Sequence, residues 1–576
     1  MAKKKAKAQG VVVKAPGAAK SSGNAKKEPV QADPEAAEPT AVAEASKGPE
    51  RGRKKKRKRS AASVQEPAVE EAAEDEDEAE EAMPAASSGR GNLGNLTFDG
   101  SSSKGLLPPM GPWSKDSSKV ELEAGLAWLV WPMTPVTFLS EYWEKKPLHL
   151  KRQRSDFYEG LFSKADFDGH LKEGTEVRYG ERLNLARFDK DKAQKVDLNG
   201  PQGTPAKWDE VQKEWTAGAT MQVMHPQQVH LPVRSTLASL ERSFGALFGA
   251  NAYLTPSEQQ GLAPHFDDVE VFMLQLEGSK RWKLHEPPEG EEYPLPRDYS
   301  RDFKPDELGP LILECVLEQG DLLYLPRGTV HSGVTEATAG FSHHLTLSTY
   351  QRTSWFQVLE KALSSALERA AGESSEFREG LPLNYIGTMG SWHEIGSEHT
   401  GPNSSGGRRA AFLRRFQGLL SRLQEFVDLD EVCDEFAVDF MAQRLPPPSA
   451  SSASESTPAP EAEGITLESK VRWTDPNSVR PILSTDPETS EAQVLLFHSC
   501  SNQCGKHMCV DTESDEDVGC LRYEAATFLP ALRYLCAAGS SIVRCGDLPL
   551  SDEGDRVALC ENLVEAGCLE LVPADA

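Results

Sequence analysis

The sequence predicts an α+β multidomain protein built around a jelly-roll-like β-domain, and three observations carry that prediction. Between about 147 and 350 the chain reads as short apolar runs broken by Gly and Pro turns, among them Leu148–Lys151, Val269–Leu276, Trp282–Leu284, Leu322–Leu325 and Leu345–Tyr350. From Trp355 the period becomes helical, with Phe412, Phe416, Leu419, Leu420, Leu423 and Val427 on one face. From Pro446 a Pro/Ser/Ala-rich stretch has linker composition and sets apart a terminal α+β module.

Taken in order, the chain opens with a charged tail. Residues 1–60 carry 17 basic against 6 acidic side chains, residues 61–90 carry 10 acids and one Arg, and no aromatic precedes Phe98. Such a segment buries no core, so residues 1–112 are expected to be a disordered tail. Its densest basic run, Arg51–Arg59, reads as a nuclear or nucleolar address with weak nonspecific affinity for nucleic acid. The β-domain is placed at 113–354. It opens on a helix capped by Thr134-Pro135, with Phe138, Leu139, Tyr142 and Trp143 as its buried face. A helical segment follows at 355–445, with a second helix from about Asp430 to Arg444. The linker is 446–464. The module at 465–576 has helices at Ala525–Ala537 and Ser551–Ala566, Gly567 as a helix stop and a strand at Leu569–Val572.

Composition excludes several classes. The chain has 576 residues, with 63 Lys and Arg against 89 Asp and Glu, a net charge of −26. That balance argues against DNA binding by bulk electrostatics, and the terminal module, with Asp511, Glu513, Asp515, Glu516 and Asp517 in one run, lacks the clustered cations that phosphate contact needs. No apolar stretch is long enough to span a bilayer. The 10 scattered cysteines fit a reducing compartment.

The chemistry concentrates in Pro264-His265-Phe266-Asp267 and Pro326-Arg327-Gly328-Thr329-Val330-His331. On a strand, His265 and Asp267 project from one face and can reach one ion together. His331 arrives from a distant strand after a tight turn. Two histidines and one carboxylate on one octahedral face leave three positions open, the donor set of non-haem Fe(II) oxygenases. A lone His-x-Asp more often just faces solvent; the combination with the second motif is what makes the signal specific. Lys280, on the strand after His265 and Asp267, needs an anion if it points into a barrel, and the remote carboxylate of a dicarboxylate is the natural one. Asn251 and Tyr253 share one strand face, as do His344, Thr346 and Ser348, so a buried polar ligand complements both. Each of these strands, taken singly, is also explained by a satisfied core network. His285, near the same strands, reads as a satisfied strand residue.

From about Leu126 to Ala576 the sequence resembles the JmjC-domain ribosomal oxygenases, in particular their bifunctional lysine-specific demethylases and histidyl-hydroxylases of the nucleolus. The blocks that carry the resemblance are Tyr142-Trp-Glu-Lys-Lys-Pro147, Asn251-Ala-Tyr-Leu-Thr-Pro256, Gly261-Leu-Ala-Pro-His-Phe-Asp-Asp-Val-Glu270, Leu274-Gln-Leu-Glu-Gly278, Gly320-Asp-Leu-Leu-Tyr-Leu-Pro-Arg-Gly328 and His344-Leu-Thr-Leu-Ser-Thr-Tyr-Gln351. The resemblance implies a cupin-like double-stranded β-helix, a helical dimerisation domain with a homodimer, and a C-terminal winged-helix domain. It implies Fe(II) held by His265, Asp267 and His331, and 2-oxoglutarate and O2 as co-substrates. Lys280 would pair with the 2-oxoglutarate carboxylate, and Asn251, Tyr253, His344 and Ser348 would line its pocket. The implied activity is hydroxylation of a histidine in a large-subunit ribosomal protein. Demethylation of histone lysine is the alternative that the same iron chemistry permits, and a non-catalytic dimeric scaffold is the reading from another class. Cys500, Cys504, His507 and Cys509 depart from the family pattern. Four soft ligands so close together suit zinc, yet Cys-x-x-His-x-Cys is not knuckle spacing, and a reduced disordered loop is the expected state.

Overall fold

The structure is a computed structural model. It describes residues 95–103, 124–173, 177–189, 194–291, 293–393, 405–447, 464–508 and 519–573. The basic run Arg51–Arg59, Pro112, most of the linker, Cys509 and the acidic run at 511–517 lie outside the described residues.

The β-domain is an 11-stranded sheet folded over on itself. Its strands are β1 (Thr97–Asp99), β2 (Leu148–Lys151), β3 (Leu183–Asp189), β4 (Gln194–Asp197), β5 (Thr220–Met224), β6 (Phe248–Pro256), β7 (Glu270–His285), β8 (Leu311–Glu318), β9 (Leu322–Leu325), β10 (Val330–Thr335) and β11 (Phe341–Thr349). The path runs β1-β2-β9-β7-β11-β6-β5-β3-β4, with β8 and β10 both on β7. The two runs expected at Val269–Leu276 and Trp282–Leu284 are one continuous strand. Its first half pairs with β9 and β11 and its second half with β8 and β10. Gly278 looks like a turn in sequence but is the crossing point, at φ +65, where a Cβ would lie 1.9 Å from the Phe341 carbonyl oxygen. Only glycine fits there.

Residues 270–276 are buried on both faces, whereas from Lys280 onward burial alternates, with Lys280, Trp282 and Leu284 inward and Arg281 and Lys283 outward. That switch marks where the strand leaves the doubly covered centre for an edge sheet. Helices α1 (Ala124–Val130), α2 (Pro135–Glu141), α3 (Lys164–Lys172), α4 (Trp208–Thr216) and α5 (Leu231–Phe244) accompany the sheet. Thr134 caps α2 by accepting from Thr137 N–H, with Pro135 in the first turn, as its sequence predicts. Phe138 packs edge-on against Tyr324 at 4.9 Å between ring centroids, but Leu139 faces outward. The tail also ends earlier than expected. Thr97–Asp99 adds in parallel to β2, Leu96 is buried beside it, and Tyr142 donates to the Asn95 carbonyl.

Beyond the sheet run α6 (Trp355–Glu373), α7 (Ser405–Leu423) and α8 (Leu429–Gln443), the last capped by Asp428. The apolar face expected from Phe412 to Val427 does not end up buried throughout: Leu423 is buried but Phe416 and Leu420 are exposed. The terminal module has β12 (Lys470–Trp473), β13 (Val479–Thr485), β14 (Ala492–His498), β15 (Gly519–Glu524), α9 (Ala525–Ala538), β16 (Val543–Arg544), α10 (Glu553–Glu565) and β17 (Leu569–Val572). The strands form two three-stranded sheets, β16-β12-β17 and β13-β14-β15. No described helix is long and apolar enough to cross a membrane.

Glu241, at the end of α5, joins these parts. Fully buried, it accepts from the backbone N–H of Phe248 at 3.2 Å and of Leu445 at 2.8 Å, and its Oε1 lies 2.8 Å from Nε2 of His507. Gln227 meets the other nitrogen of His507 at 3.1 Å. The segment around Cys504 and His507 is therefore docked on the β-domain and is not the loose loop that its spacing suggests. Removing the shared acceptor of a buried hydrogen-bond cluster leaves the other groups unsatisfied and costs about 1–3 kcal/mol for each. Glu241→Ala is expected to lower the thermal unfolding midpoint of the whole chain by several degrees, and to expose the 500–508 segment to limited proteolysis. An unchanged midpoint would show that the junction is not a stability determinant.

Candidate active site

The isolated antiparallel bridge between His265 and His331 brings the two histidine motifs together, with backbone hydrogen bonds of 2.9 and 3.3 Å. Gly328, at φ +88, makes the preceding turn and donates its N–H to the Asp267 carbonyl at 3.0 Å. The side chains then converge. Nε2 of His265 and Nε2 of His331 each lie 3.8 Å from a different oxygen of Asp267. Nδ1 of His265 lies 2.8 Å from the Ala263 carbonyl and Nδ1 of His331 3.1 Å from that of Thr329. A carbonyl only accepts, so each Nδ1 carries the proton and each Nε2 presents its lone pair to the centre. Burial, with His265 alongside, pushes the His331 imidazole down to about 4, so it stays neutral, the form that ligates. Three ligand atoms on one side, with open cavity opposite, fit a facially bound divalent iron.

The turn that delivers His331 is tied down from behind. Arg327, buried, donates to Glu270 at 3.1 Å and pairs with Glu144 at 2.7 Å; Tyr324 donates a short hydrogen bond to the other oxygen of Glu270. Burial raises the Glu270 carboxyl to about 7 against the opposing pull of Tyr324 and Arg327. Nothing in the local sequence singles out this trio, because its members meet only through the sheet.

The triad opens into a cavity lined by Tyr253, Lys280, Trp282, His344 and Thr346, among others. Lys280 is fully inside, and burial pulls its ammonium down to about 7. Its closest polar neighbour is Thr255 Oγ1 at 3.5 Å, and it sits 4.9 Å over the Trp282 ring. No carboxylate faces it among the described residues. A buried cation so placed is half of an ion pair whose partner must enter from outside. Tyr253 stacks on His344 at 5.1 Å and accepts from Gln222 at 3.1 Å, while Nδ1 of His344 and Nε1 of Trp282 are buried without a partner. Burial and the nearby Lys280 hold His344 well below the usual imidazole range. These polar groups fit a small dianion lying between Lys280 and the triad.

Of the residues expected at the site, His265, Asp267, His331, Lys280, Tyr253 and His344 all line this cavity. Asn251 and Ser348 sit on the same strand faces but outside its lining. Thr220 and Trp282 line it without having been expected there; alternation along β7 places Trp282 beside Lys280, so its inward face was readable. His285 is a strand residue held to the Gly309 carbonyl at 2.9 Å. The alternative of a zinc set at Cys500, Cys504, His507 and Cys509 is not assembled among the described residues, because His507 turns to Glu241 and Cys509 lies outside them.

A family profile for the JmjC domain matches residues 222–353, which spans the triad, Lys280 and the cavity. Ribosomal oxygenase 1 of Danio rerio is 34% identical over 448 residues, covering 77% of this chain and 78% of the relative. The human protein of that name is 34% identical over 457 residues, covering 77% of this chain and 66% of its own. A Dictyostelium discoideum protein named bifunctional lysine-specific demethylase and histidyl-hydroxylase is 30% identical over 455 residues, covering 78% and 83%. A solved Escherichia coli ribosomal oxygenase, in complex with cobalt and 2-oxoglutarate, is 14% identical with a TM-score of 0.40, covering 77% of this chain and 99% of that one. JmjC oxygenases use Fe(II) and 2-oxoglutarate, the pair that the triad and Lys280 suit. With identity and coverage of this extent on either side of the metal triad, the chain belongs to the JmjC-domain ribosomal oxygenases.

Proposed function

We propose that this chain is an Fe(II)- and 2-oxoglutarate-dependent oxygenase that hydroxylates a histidine of a large-subunit ribosomal protein. The single observation that carries the reading is the convergence of His265, Asp267 and His331 beside a buried lysine that no carboxylate faces among the described residues. Iron and 2-oxoglutarate, when bound, supply the oxidising chemistry that inserts one atom of O2 into a substrate C–H bond while the co-substrate becomes succinate and CO2. The chain's residues do the rest. The two imidazoles and the carboxylate hold the metal on one face, Lys280 pairs with the remote carboxylate, and Tyr253 and His344 line its flank. The apolar flanks of the cavity, Met273 and Trp282, exclude water. The histidyl-hydroxylase and lysine-demethylase names of the relatives support both a ribosomal histidine and, as the second reading, a methylated histone lysine.

The flanking parts complete the proposal. Residues 355–445 serve as a homodimerisation domain. In support, α6 buries Ala362, Ala366 and Ala370 on one side and leaves Trp355, Phe356, Leu359, Leu363 and Leu367 exposed on another. The module at 465–576 is read as a winged helix used for protein contact, and Arg51–Arg59 as the signal for nuclear residence, with the nucleolus as its destination.

Four outcomes are expected. Incubation of unmodified ribosomal proteins with the chain, Fe(II) and 2-oxoglutarate adds one oxygen to a histidine by peptide mass spectrometry. Loss of methyl groups from histone lysine alone would promote the second reading, and neither product together with no bound iron would leave a scaffold. Asp267→Ala removes a first ligand, so bound iron and turnover should fall by at least about 100-fold, beyond the range for outer residues; retained turnover would exclude the triad. For Lys280 the sign runs one way: the free amine is neutral above about pH 7 while the dicarboxylate requires the ammonium, so binding takes up a proton. Anaerobic calorimetry should then show 2-oxoglutarate affinity weakening by up to about tenfold per unit as pH rises above 7, and Lys280→Met should abolish that slope. A flat profile for the native chain would contradict the pairing. Light scattering should report a dimer that Leu363→Asp with Leu367→Asp converts to a monomer; a native monomer would refute the dimer.

A further inference from the structure

A second soft-ligand cluster lies in the terminal module, far along the chain from the triad. His498, Cys500 and Cys568 each bring one ligand atom within 4.8 Å of the others. His498 ends β14, Cys500 follows in the next turn, and Cys568 sits between α10 and β17. The three therefore come from the two different sheets of the module: His498 from the sheet of β13, β14 and β15, and Cys568 from the edge of that of β16, β12 and β17.

The surroundings are built to hold these side chains still. Register pairs His498 with Gly519, and a Cβ at 519 would lie 2.4 Å from Cε1 of the imidazole, so the ring occupies space that only glycine leaves. His498 is buried and its Nδ1 has no hydrogen-bond partner. The Cys568 backbone is pinned at both ends: its N–H donates to the Leu563 carbonyl at 2.9 Å and its carbonyl accepts from Thr474 at 2.9 Å. Ser478 Oγ lies 3.5 Å from Cys500 Sγ and itself donates to the Asp475 carbonyl at 2.7 Å.

We propose that His498, Cys500 and Cys568 form a structural zinc site that clips the two sheets of the terminal module together. Two thiolates and an imidazole are soft and borderline donors that select zinc over the hard divalent cations. The fourth tetrahedral position falls to a water or to the Ser478 hydroxyl. Binding displaces the thiol protons and adds no oxidant or reductant. The pairing crosses from Cys500 to a residue 68 positions later in the numbering, which explains why the nearby Cys504 and His507 do not supply it.

The test uses the full chain carrying Asp267→Ala, which empties the iron triad and leaves this cluster intact. Elemental analysis should find about one zinc ion per chain. It should fall at least tenfold in Cys500→Ser with Cys568→Ser. Because that variant can fail to fold, the decisive readout is cobalt substitution of the Asp267→Ala chain itself. Cobalt bound through sulfur gives thiolate-to-metal charge-transfer absorption, which the oxygen- and nitrogen-only triad does not give. That absorption, together with Cys500 and Cys568 protected from alkylation until a chelator is added, supports the site. No thiolate–cobalt absorption, with both cysteines freely alkylated or joined to each other as a disulfide in the folded chain, overturns it.

Discussion

The constraint on which the rest of the structure depends is the unbroken course of β7 through Gly278. One strand serves two sheets, and it can do so only because the backbone turns past Phe341 where no side chain fits. Glu270 at its start receives Arg327 and Tyr324 and so fixes the turn ahead of His331, while Lys280 and Trp282 after the crossing face the same cavity. The candidate metal ligand His331, Lys280 and the cavity wall thus share one rigid reference. His331 and Lys280 stand on strands, and the segment between β6 and β7 that carries His265 and Asp267 is fastened to β10 by the His265–His331 bridge, which keeps the tolerance that such chemistry needs.

The electrostatics of the site are arranged around something that the chain itself lacks. His331 and His344 are kept neutral by burial, Asp267 sits between the imidazoles of His265 and His331, and Lys280 is buried with no acid facing it among the described residues. Each of these would cost stability in a purely structural core. They become favourable together when a divalent cation meets the triad and a dianion spans from it to Lys280. Conformational stability has been traded locally for a preformed binding geometry, as is common at functional sites.

Much of this was legible in the residues. The Pro-Arg-Gly turn does lead into the strand of His331, and the Thr134 cap stands where its hydroxyl type predicts, whereas His265 and Asp267, read as neighbours on one strand, lie between β6 and β7 with only a bridge at His265. What was not legible depends on long-range pairing. Gly278 reads as a turn because a sequence does not show Phe341 crossing it. Asn251 and Ser348 share strand faces with Tyr253 and His344, but alternation gives the face and not the depth, and both fall beyond the cavity lining. Cys500 was grouped with its near neighbours Cys504 and His507, whereas the fold sends His507 to Glu241 and brings Cys568 to Cys500 from the other end of the module. Thr97–Asp99 joins the sheet although its flanks have tail composition, because edge pairing needs only a few residues.

The account's central claim is that one cavity binds a metal on His265, Asp267 and His331 and a dicarboxylate on Lys280 at the same time. An anaerobic crystal structure of the full chain soaked with Mn(II) and 2-oxoglutarate tests it most directly. The account predicts anomalous density for one metal ligated by Nε2 of both histidines and by Asp267, with the remote carboxylate of 2-oxoglutarate within hydrogen-bond distance of Lys280 Nζ. Metal bound elsewhere, or a co-substrate whose carboxylate avoids Lys280, would contradict it.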